Sequence, residues 1–173
     1  MCLWTQGCSK NCEGCISPEL QPRDGTDIEE RILADLLNKL AVKNECQGLT
    51  ISGGDPFEQP ASLLRLLALI RDRFADIMVY TGYRLAEIEA GEAGEEGKEC
   101  LRYIDVLIDG RYVKELNTPD CVLRGSGNQS IIYLNTNMQS EYENYMEKGR
   151  IIETFVHGDK TIITGILNEV ENE

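Results

Sequence analysis

The chain has 173 residues, of which 42% are apolar, and this length and composition suffice for one hydrophobic core. Its formal net charge is -13, which argues against nucleic acid as a partner, because phosphate binding needs clustered lysine and arginine. No apolar run approaches the length of a membrane span, so we expect no membrane partner.

Strands and helices alternate in the first half of the chain. The end of a strand is predicted at Cys2 to Thr5. Apolar residues at helical spacing then predict a first helix: Ile28, Ile32, Leu33, Leu36, Leu37 and Leu40. Asp27 and Glu30 are expected to form its capping pair. A short buried strand over 48–52 follows, and a second helix begins with Pro60 in its first turn.

The second half continues the alternation. Strands are predicted over 77–80 and 104–108, with a short helix over 84–89 between them. Glycine and glutamate dominate residues 91–97, which predicts a loop. Another strand is expected over 130–134. Residues 104–108 are apolar on both faces, as the strands of a covered parallel sheet are.

The C-terminal end predicts a β-hairpin. Two β-prone runs, Ile151 to Val156 and Thr161 to Leu167, flank the turn sequence His157-Gly158-Asp159-Lys160. No linker interrupts the chain, so we expect one domain over 1–173. Its core would span 1–135, and the hairpin would belong to an extension over 136–173.

Alternating strands and helices predict an α/β fold with a mostly parallel sheet and helices outside. Ligands of such sheets bind at the carboxyl ends of the strands. Three glycine-containing motifs directly follow predicted strands: Gly53-Gly54-Asp55, Thr81-Gly82 and Asp109-Gly110. One such motif is commonly an ordinary turn, whereas three at one edge of a sheet indicate a binding site.

Three closely spaced cysteines, Cys8, Cys12 and Cys15, are separated by three and two residues. A four-iron cluster normally takes four thiolates, so three cysteines would leave one iron open. An open metal position is typical of a catalytic site rather than a structural one. The spacing therefore indicates a cluster that binds a substrate or cofactor directly.

Other uses of the cysteines are less consistent with the sequence. Zinc usually takes four ligands, but His157 is the single histidine and no second cysteine pair exists. The remaining cysteines are scattered: Cys2, Cys46, Cys100 and Cys121. An odd total of seven argues against a disulfide framework. An iron–sulfur site is favoured, and zinc stays the alternative.

The Gly53-Gly54-Asp55 motif adds a second indication. Glycines at a strand end let a ligand approach the backbone closely. The carboxylate of Asp55 would hold a cationic amino group beside them. The motif by itself is also ordinary turn chemistry. Together with the cysteine triplet, it indicates a cofactor bound between the cluster and the strand end.

With these motifs the chain resembles the radical S-adenosylmethionine superfamily and, within it, the family that activates anaerobic ribonucleoside-triphosphate reductase. Five stretches occur in the family's order and cover residues 1–135: Gln6-Gly7-Cys8, Ser52-Gly53-Gly54-Asp55-Pro56, Tyr80-Thr81-Gly82-Tyr83, Ile104-Asp105-Val106-Leu107-Ile108-Asp109-Gly110 and Arg124-Gly125-Ser126-Gly127-Asn128-Gln129. Family members usually carry a further segment before the cysteines, so the resemblance implies that the first strand is mostly missing here.

The resemblance also implies a partial, open β/α barrel and a set of site residues. The three cysteines would hold a 4Fe–4S cluster whose open iron binds S-adenosylmethionine. Gly53, Gly54 and Asp55 would contact the amino group of that cofactor. Thr81 and Asp109 match positions near the cofactor carboxylate or a bound cation, although a strand-end Asp also caps helices. Asn128 would either bond the cofactor or the partner, or order a turn.

The activity implied by the resemblance is that of an oxidoreductase. S-adenosylmethionine would be cleaved reductively to a 5′-deoxyadenosyl radical, which generates a glycyl radical on a partner, expected to be anaerobic ribonucleotide reductase. The electron donor would be a flavodoxin- or ferredoxin-like protein. Two alternatives remain: a radical enzyme acting on another protein or peptide, and a non-catalytic metal-binding interaction module. Free cysteines without a targeting segment predict a reducing cytoplasm.

Overall fold

A computed structural model describes residues 1–158 and 160–165. The strands of these residues are β1 (Cys2–Thr5), β2 (Gly48–Gly53), β3 (Asp76–Tyr80), β4 (Val106–Asp109), β5 (Ser130–Tyr133), β6 (Glu153–His157) and β7 (Lys160–Thr164). The α-helices are α1 (Glu30–Lys43), α2 (Pro60–Ile70), α3 (Leu85–Glu89), α4 (Gly94–Cys100) and α5 (Gln139–Met146). None of the helices in the described ranges is long and apolar enough to cross a membrane.

Five strands form one sheet in the order β1-β2-β3-β4-β5. The first four strands run parallel, and β5 is antiparallel to β4. Helices lie between β1 and β2, between β2 and β3 and between β3 and β4, as parallel neighbours require. The predicted α/β fold with a mostly parallel sheet is confirmed.

Both faces of the central strands are buried. One face packs against the helices in the main core, to which the strands contribute Leu49, Ile51, Ile77, Val79 and Leu107. Alternate residues of β3 and β4 point the other way and form a second cluster of Met78, Val106 and Ile108. The continuous apolar runs of these strands follow from this double burial.

The C-terminal helix α5 covers part of the second face. The Tyr142 hydroxyl donates a hydrogen bond to the Asp76 carboxylate at the start of β3. The Tyr142 ring also packs edge-to-face on Tyr133 of β5, with the ring centroids 6.3 Å apart. A cavity of about 490 Å³ lies on this face and is lined by Met78, Leu123 and Tyr142 among others. Residues beyond 135 thus contribute to the packing of the sheet.

The first helix forms as predicted, but most of the apolar residues that predict it are not on its buried face. Ile32 and Leu36 are 61% and 48% exposed, and Ile28 and Leu40 are exposed as well. The buried residues of α1 are Ala34, Leu37 and Ala41, of which Leu37 alone is in the predicted set. The predicted capping pair is wrong, because the helix begins at Glu30 after Glu29, whose side chain makes no capping bond. Small alanines permit close packing on the core but give a weak apolar signal in the sequence.

The predicted loop over 91–97 is also wrong, because its second half belongs to α4. Gly97 lies in this helix, and a Cβ atom there would be 2.9 Å from the Ala93 Cβ. Glycine at this position avoids that close contact with Ala93 at the start of the helix, and Cys100 at the end of the helix is fully buried. Tertiary packing here outweighs the low helix propensity of glycine.

Strands β6 and β7 form a separate antiparallel pair that runs from Glu153 opposite Thr164 to His157 opposite Lys160. Asp159, in the turn that the sequence predicts, lies outside the described residues. Residues 166–167, which the predicted second strand includes, also lie outside them.

Candidate active site

The three cysteines occupy a loop whose base is closed by backbone hydrogen bonds. Gly7 N donates to Leu20 O over 2.8 Å, and Cys8 N donates to Gln21 O over 2.9 Å. Within the loop, Cys15 N donates to Cys12 O over 3.3 Å. The three thiols are free and half-buried. The sequence therefore folds into a closed loop that presents three unpaired thiols.

Zinc and a 4Fe–4S cluster require different arrangements of the three thiols. Among residues 1–158 and 160–165, no three His, Cys, Asp or Glu side chains lie close enough together to hold one metal ion. A single zinc ion gathers its sulfur ligands at about 2.3 Å, whereas the cysteines of a 4Fe–4S cluster bind different irons and lie further apart.

The glycine motif at the end of β2 is in backbone contact with the cysteine loop. Gly54 N donates to Thr5 O over 2.8 Å, and Asp55 N donates to Gly7 O over 2.9 Å. A Cβ atom at Gly54 would lie 2.4 Å from Gly7 O, so no larger residue fits there. Gly53 has a φ of 111°, a conformation that glycine adopts readily. These glycines bring the strand end within hydrogen-bonding distance of the residue before Cys8.

Asp55 is 1% exposed and links two strand ends. Its Oδ1 accepts hydrogen bonds from Phe57 N at 3.0 Å and from the Thr81 hydroxyl at 2.9 Å. Its Oδ2 accepts one from Gly82 N at 2.9 Å. Burial raises the pKa of the carboxyl, and the three hydrogen bonds together with the Lys10 charge only partly oppose it. A carboxylate has about four lone-pair positions, and these three hydrogen bonds occupy three of them.

Thr81 is the partner of Asp55 at the end of β3. Its hydroxyl donates to Asp55 and accepts from Tyr83 N at 3.1 Å. Thr81 is itself buried. The structure thus brings the cysteine loop, the glycine motif and Thr81 together at the carboxyl edge of the sheet. The position of both motifs directly after predicted strands indicates the same edge.

Asp109 and Asn128 lie near the end of β4 and make different contacts. The Asp109 carboxylate accepts from Leu85 N at 2.8 Å at the start of α3, and it pairs with Arg84 at 3.2 Å. Asn128 Nδ2 donates to Arg111 O at 2.8 Å. Its Oδ1 is buried and has no hydrogen-bond partner among the described residues. Such an unpaired acceptor is unusual in a protein interior.

Sequence analysis missed a set of charged residues around the cysteine loop. Lys10 lies between the first two cysteines, and its ammonium is 3.4 Å from the Glu58 carboxylate. The same ammonium lies 3.2 Å from the centroid of the Tyr83 ring. Burial lowers the pKa of Lys10, but Tyr83, Asp55 and Glu58 more than compensate, so the pKa is raised. Lys10 and Glu58 are 48 positions apart, and no local pattern predicts their pairing.

Comparison with known proteins adds an independent finding. Residues 1–132 match the protein family described as a 4Fe-4S single cluster domain. The anaerobic ribonucleoside-triphosphate reductase-activating protein of Salmonella typhi is 35% identical over 143 residues, which are 76% of this chain and 86% of that protein. The protein of the same name from Pasteurella multocida is 37% identical over 140 residues, covering 76% and 84%. That of Enterobacteria phage T4 is 34% identical over 134 residues, covering 75% and 80%. No solved structure matches the chain.

Proposed function

Because the chain belongs to the family of anaerobic ribonucleoside-triphosphate reductase-activating proteins, we propose that it generates a glycyl radical on anaerobic ribonucleotide reductase. It would do so as a radical S-adenosylmethionine enzyme with a 4Fe–4S cluster. The observation that supports this best is the backbone contact between the cysteine loop and the Gly53-Gly54-Asp55 motif. That contact places candidate cluster ligands beside a candidate cofactor site at the carboxyl edge of a parallel sheet.

The cluster and the cofactor have separate residues in this proposal. Cys8, Cys12 and Cys15 hold three irons of the cluster. The backbone of Gly53 and Gly54 receives the amino group of S-adenosylmethionine, and Asp55 supplies negative charge beneath it. When bound, the cluster supplies the single electron that cleaves S-adenosylmethionine to methionine and a 5′-deoxyadenosyl radical.

Three further residues complete the proposed site. Thr81 fixes the orientation of the Asp55 carboxylate through its 2.9 Å hydrogen bond. Asp109 holds the start of α3 and the Arg84 side chain at the neighbouring strand end. The unpaired Oδ1 of Asn128 accepts a hydrogen bond from the cofactor. These residues bind and orient groups, and we assign no proton transfer to any of them.

We also propose finer features of the fold, the electron donor and the cellular location. The five-stranded sheet represents part of an open β/α barrel, and β6 with β7 forms a C-terminal hairpin attached to a single domain over 1–173. A flavodoxin- or ferredoxin-like protein supplies the electron. A cytoplasmic location suits the free thiols of the described residues, since thiols stay reduced there.

The test is anaerobic and has two stages. The protein is reconstituted with iron and sulfide, reduced with dithionite, and given S-adenosylmethionine, and 5′-deoxyadenosine is measured by chromatography. Reductase is then added, and the glycyl radical is sought by electron paramagnetic resonance. Cys46→Ala is the matched control, because Cys46 lies outside the loop, and it should behave as wild type.

Three outcomes are informative. Both products together support the proposal. Formation of 5′-deoxyadenosine without a glycyl signal on the reductase would point to another protein or peptide substrate. Absence of 5′-deoxyadenosine from a preparation with a full iron content would leave a non-catalytic metal-binding module.

A further inference from the structure

Lys10 is unusual because it is a lysine inside the cysteine loop and yet its side chain is only 8% exposed. Lysine is rarely buried to this extent unless its charge is paired. Here the ammonium meets the Glu58 carboxylate at 3.4 Å and the Tyr83 ring at 3.2 Å. The aliphatic stem packs on Gly82, where a Cβ atom would lie 2.9 Å from Lys10 Cγ. The side chain therefore fits a site made by the ends of two strands.

Glu58, the partner of Lys10 in this ion pair, is also largely buried, with 14% of its side chain exposed. It is the last residue of a short 3₁₀ helix, Pro56–Glu58, which begins directly after Asp55. Its carboxylate also accepts a hydrogen bond from the Ser9 hydroxyl at 2.5 Å. Arg23, just after the base of the loop, lies 3.5 Å from the same carboxylate and donates to Glu58 O at 2.6 Å. One carboxylate thus binds two residues inside the cysteine loop and one beyond it.

We propose that Lys10 is a positioning residue which, through Glu58 and Tyr83, holds the stretch between Cys8 and Cys12 in the geometry that the cluster needs. This inference rests on the proposed function, because it concerns the loop that would hold the cluster. Backbone hydrogen bonds close the base of the loop at Gly7 and Cys8, and a further one joins Cys15 to Cys12. Lys10 attaches the loop at a further point. Such an attachment reduces the conformational entropy that the loop would lose on binding a ligand.

A second observation connects Lys10 to the cysteines directly. The backbone N–H of Lys10 points to the Cys8 sulfur, with a nitrogen–sulfur distance of 3.5 Å. Hydrogen bonds to cysteine sulfurs help to set the reduction potential of an iron–sulfur cluster. If the Lys10 side chain is released, this donor moves with the backbone and a buried positive charge leaves the site. Both changes would act on the cluster rather than on the fold alone.

The variants to compare are Lys10→Met, Lys10→Arg and Glu58→Gln. Methionine keeps an unbranched chain but removes the charge, whereas arginine keeps the charge and stacks on aromatic rings. The matched control is Lys98→Met, which removes a lysine from a 2.7 Å ion pair with Glu95 on α4. Urea unfolding of each protein establishes that the variants are folded.

The first measurement needs no cluster. Apoprotein is treated with iodoacetamide, and the rate at each cysteine is followed by mass spectrometry. We expect Lys10→Met and Glu58→Gln to raise the rates at Cys8, Cys12 and Cys15 about five-fold, the effect of losing one modest interaction. The rate at Cys46 should stay constant in every variant, and Lys98→Met should match wild type. The alkylation rates of the loop cysteines in Lys10→Arg should be closer to those of wild type than the rates in Lys10→Met.

The second measurement is the reduction potential of the reconstituted cluster, obtained by a spectroscopic titration. Loss of a nearby cation disfavours the reduced form, so Lys10→Met should shift the potential to a more negative value. Lys10→Arg keeps the positive charge, so its potential should stay close to that of wild type. If Lys10 only attached the loop and did not influence the cluster, the reduction potential would stay unchanged.

The inference is overturned if Lys10→Met leaves the loop thiol rates unchanged, or if the potential stays constant in a folded, fully loaded variant. Should Lys10→Met fail to fold, Glu58→Gln and Lys10→Arg decide the question by the same two measurements. Failure of the proposed function is recognised separately, because wild type would then bind no cluster or cleave no cofactor. The thiol rates of the apoprotein still decide whether Lys10 holds the loop.

Discussion

Replacing Asp55 with asparagine tests whether its carboxylate ties the two strand ends together. Asparagine has the same shape, and its oxygen can still accept from Phe57 N and Thr81 Oγ1. Its amide nitrogen, however, replaces the oxygen that accepts from Gly82 N. Two N–H groups then face each other in a buried site. Loss of one hydrogen bond to a charged group costs about 1.5–3 kcal/mol.

Part of this cost is offset, because the charge of Asp55 is itself buried unfavourably, as its raised pKa shows. We therefore expect the free energy of unfolding to fall by about 2 kcal/mol in Asp55→Asn. At this chain length, that corresponds to a decrease in Tm of about 4–8 °C. Reversible urea unfolding of the apoprotein, followed by circular dichroism, measures the change. Asp35→Asn, at an exposed position of α1, should stay within about 0.5 kcal/mol of wild type.

The affinity for S-adenosylmethionine provides the second half of this test. Calorimetry on the reconstituted protein should show at least a tenfold weaker Kd for Asp55→Asn, since a charged contact is lost. Equal stability of Asp55→Asn and Asp35→Asn would refute the role of the carboxylate in joining the strand ends. Reduced stability with unchanged affinity would show that Asp55 supports the site without contacting the cofactor.

Three other changes have clear expected results. Cys12→Ala should abolish the iron content after anaerobic reconstitution, and a normal cluster in that variant would contradict the ligand assignment. Leu37→Ala should lower the free energy of unfolding by about 2–5 kcal/mol, whereas Leu36→Ala should change it by at most about 0.5 kcal/mol; urea unfolding distinguishes them. The hydrogen bond from Arg65 lowers the pKa of Glu30 to about 2, so its stabilisation is present above the unfolded value of 4.5 and lost as the pH falls towards 2. Arg65→Met should thus be less stable than wild type at pH 7, by at most about 1 kcal/mol since the pair is partly exposed, and the difference should shrink as the pH falls from 4.5 through 2; a difference that does not shrink over this range would contradict the assignment.

The central strands and the motifs after them could be predicted because their signals are local. Runs such as 77–80 and 104–108 are apolar on both faces, and Gly53-Gly54-Asp55 directly follows its strand. The orientation of β5 could not be predicted, since an apolar strand has the same pattern whether it runs parallel or antiparallel to its neighbour.

Other features were missed because distant residues determine them. Helix α4 forms although it contains Gly94 and Gly97, because it packs against Phe57 and Pro60 in the folded core. The pairing of Lys10 with Glu58 depends on where β2 ends in space. The spacing of the cysteines in the sequence is enough to predict the candidate ligands. It does not predict which residues hold the loop that carries them.

The contact between the cysteine loop and the strand ends has a consequence for the order of events during synthesis. The cysteines leave the ribosome before the residues that complete their loop, which are Asp55, Glu58 and Tyr83. The loop therefore reaches its final geometry only after β2 and β3 have folded. A cluster delivered before residue 83 has been made would meet three cysteines on an unstructured segment, so productive loading must follow folding.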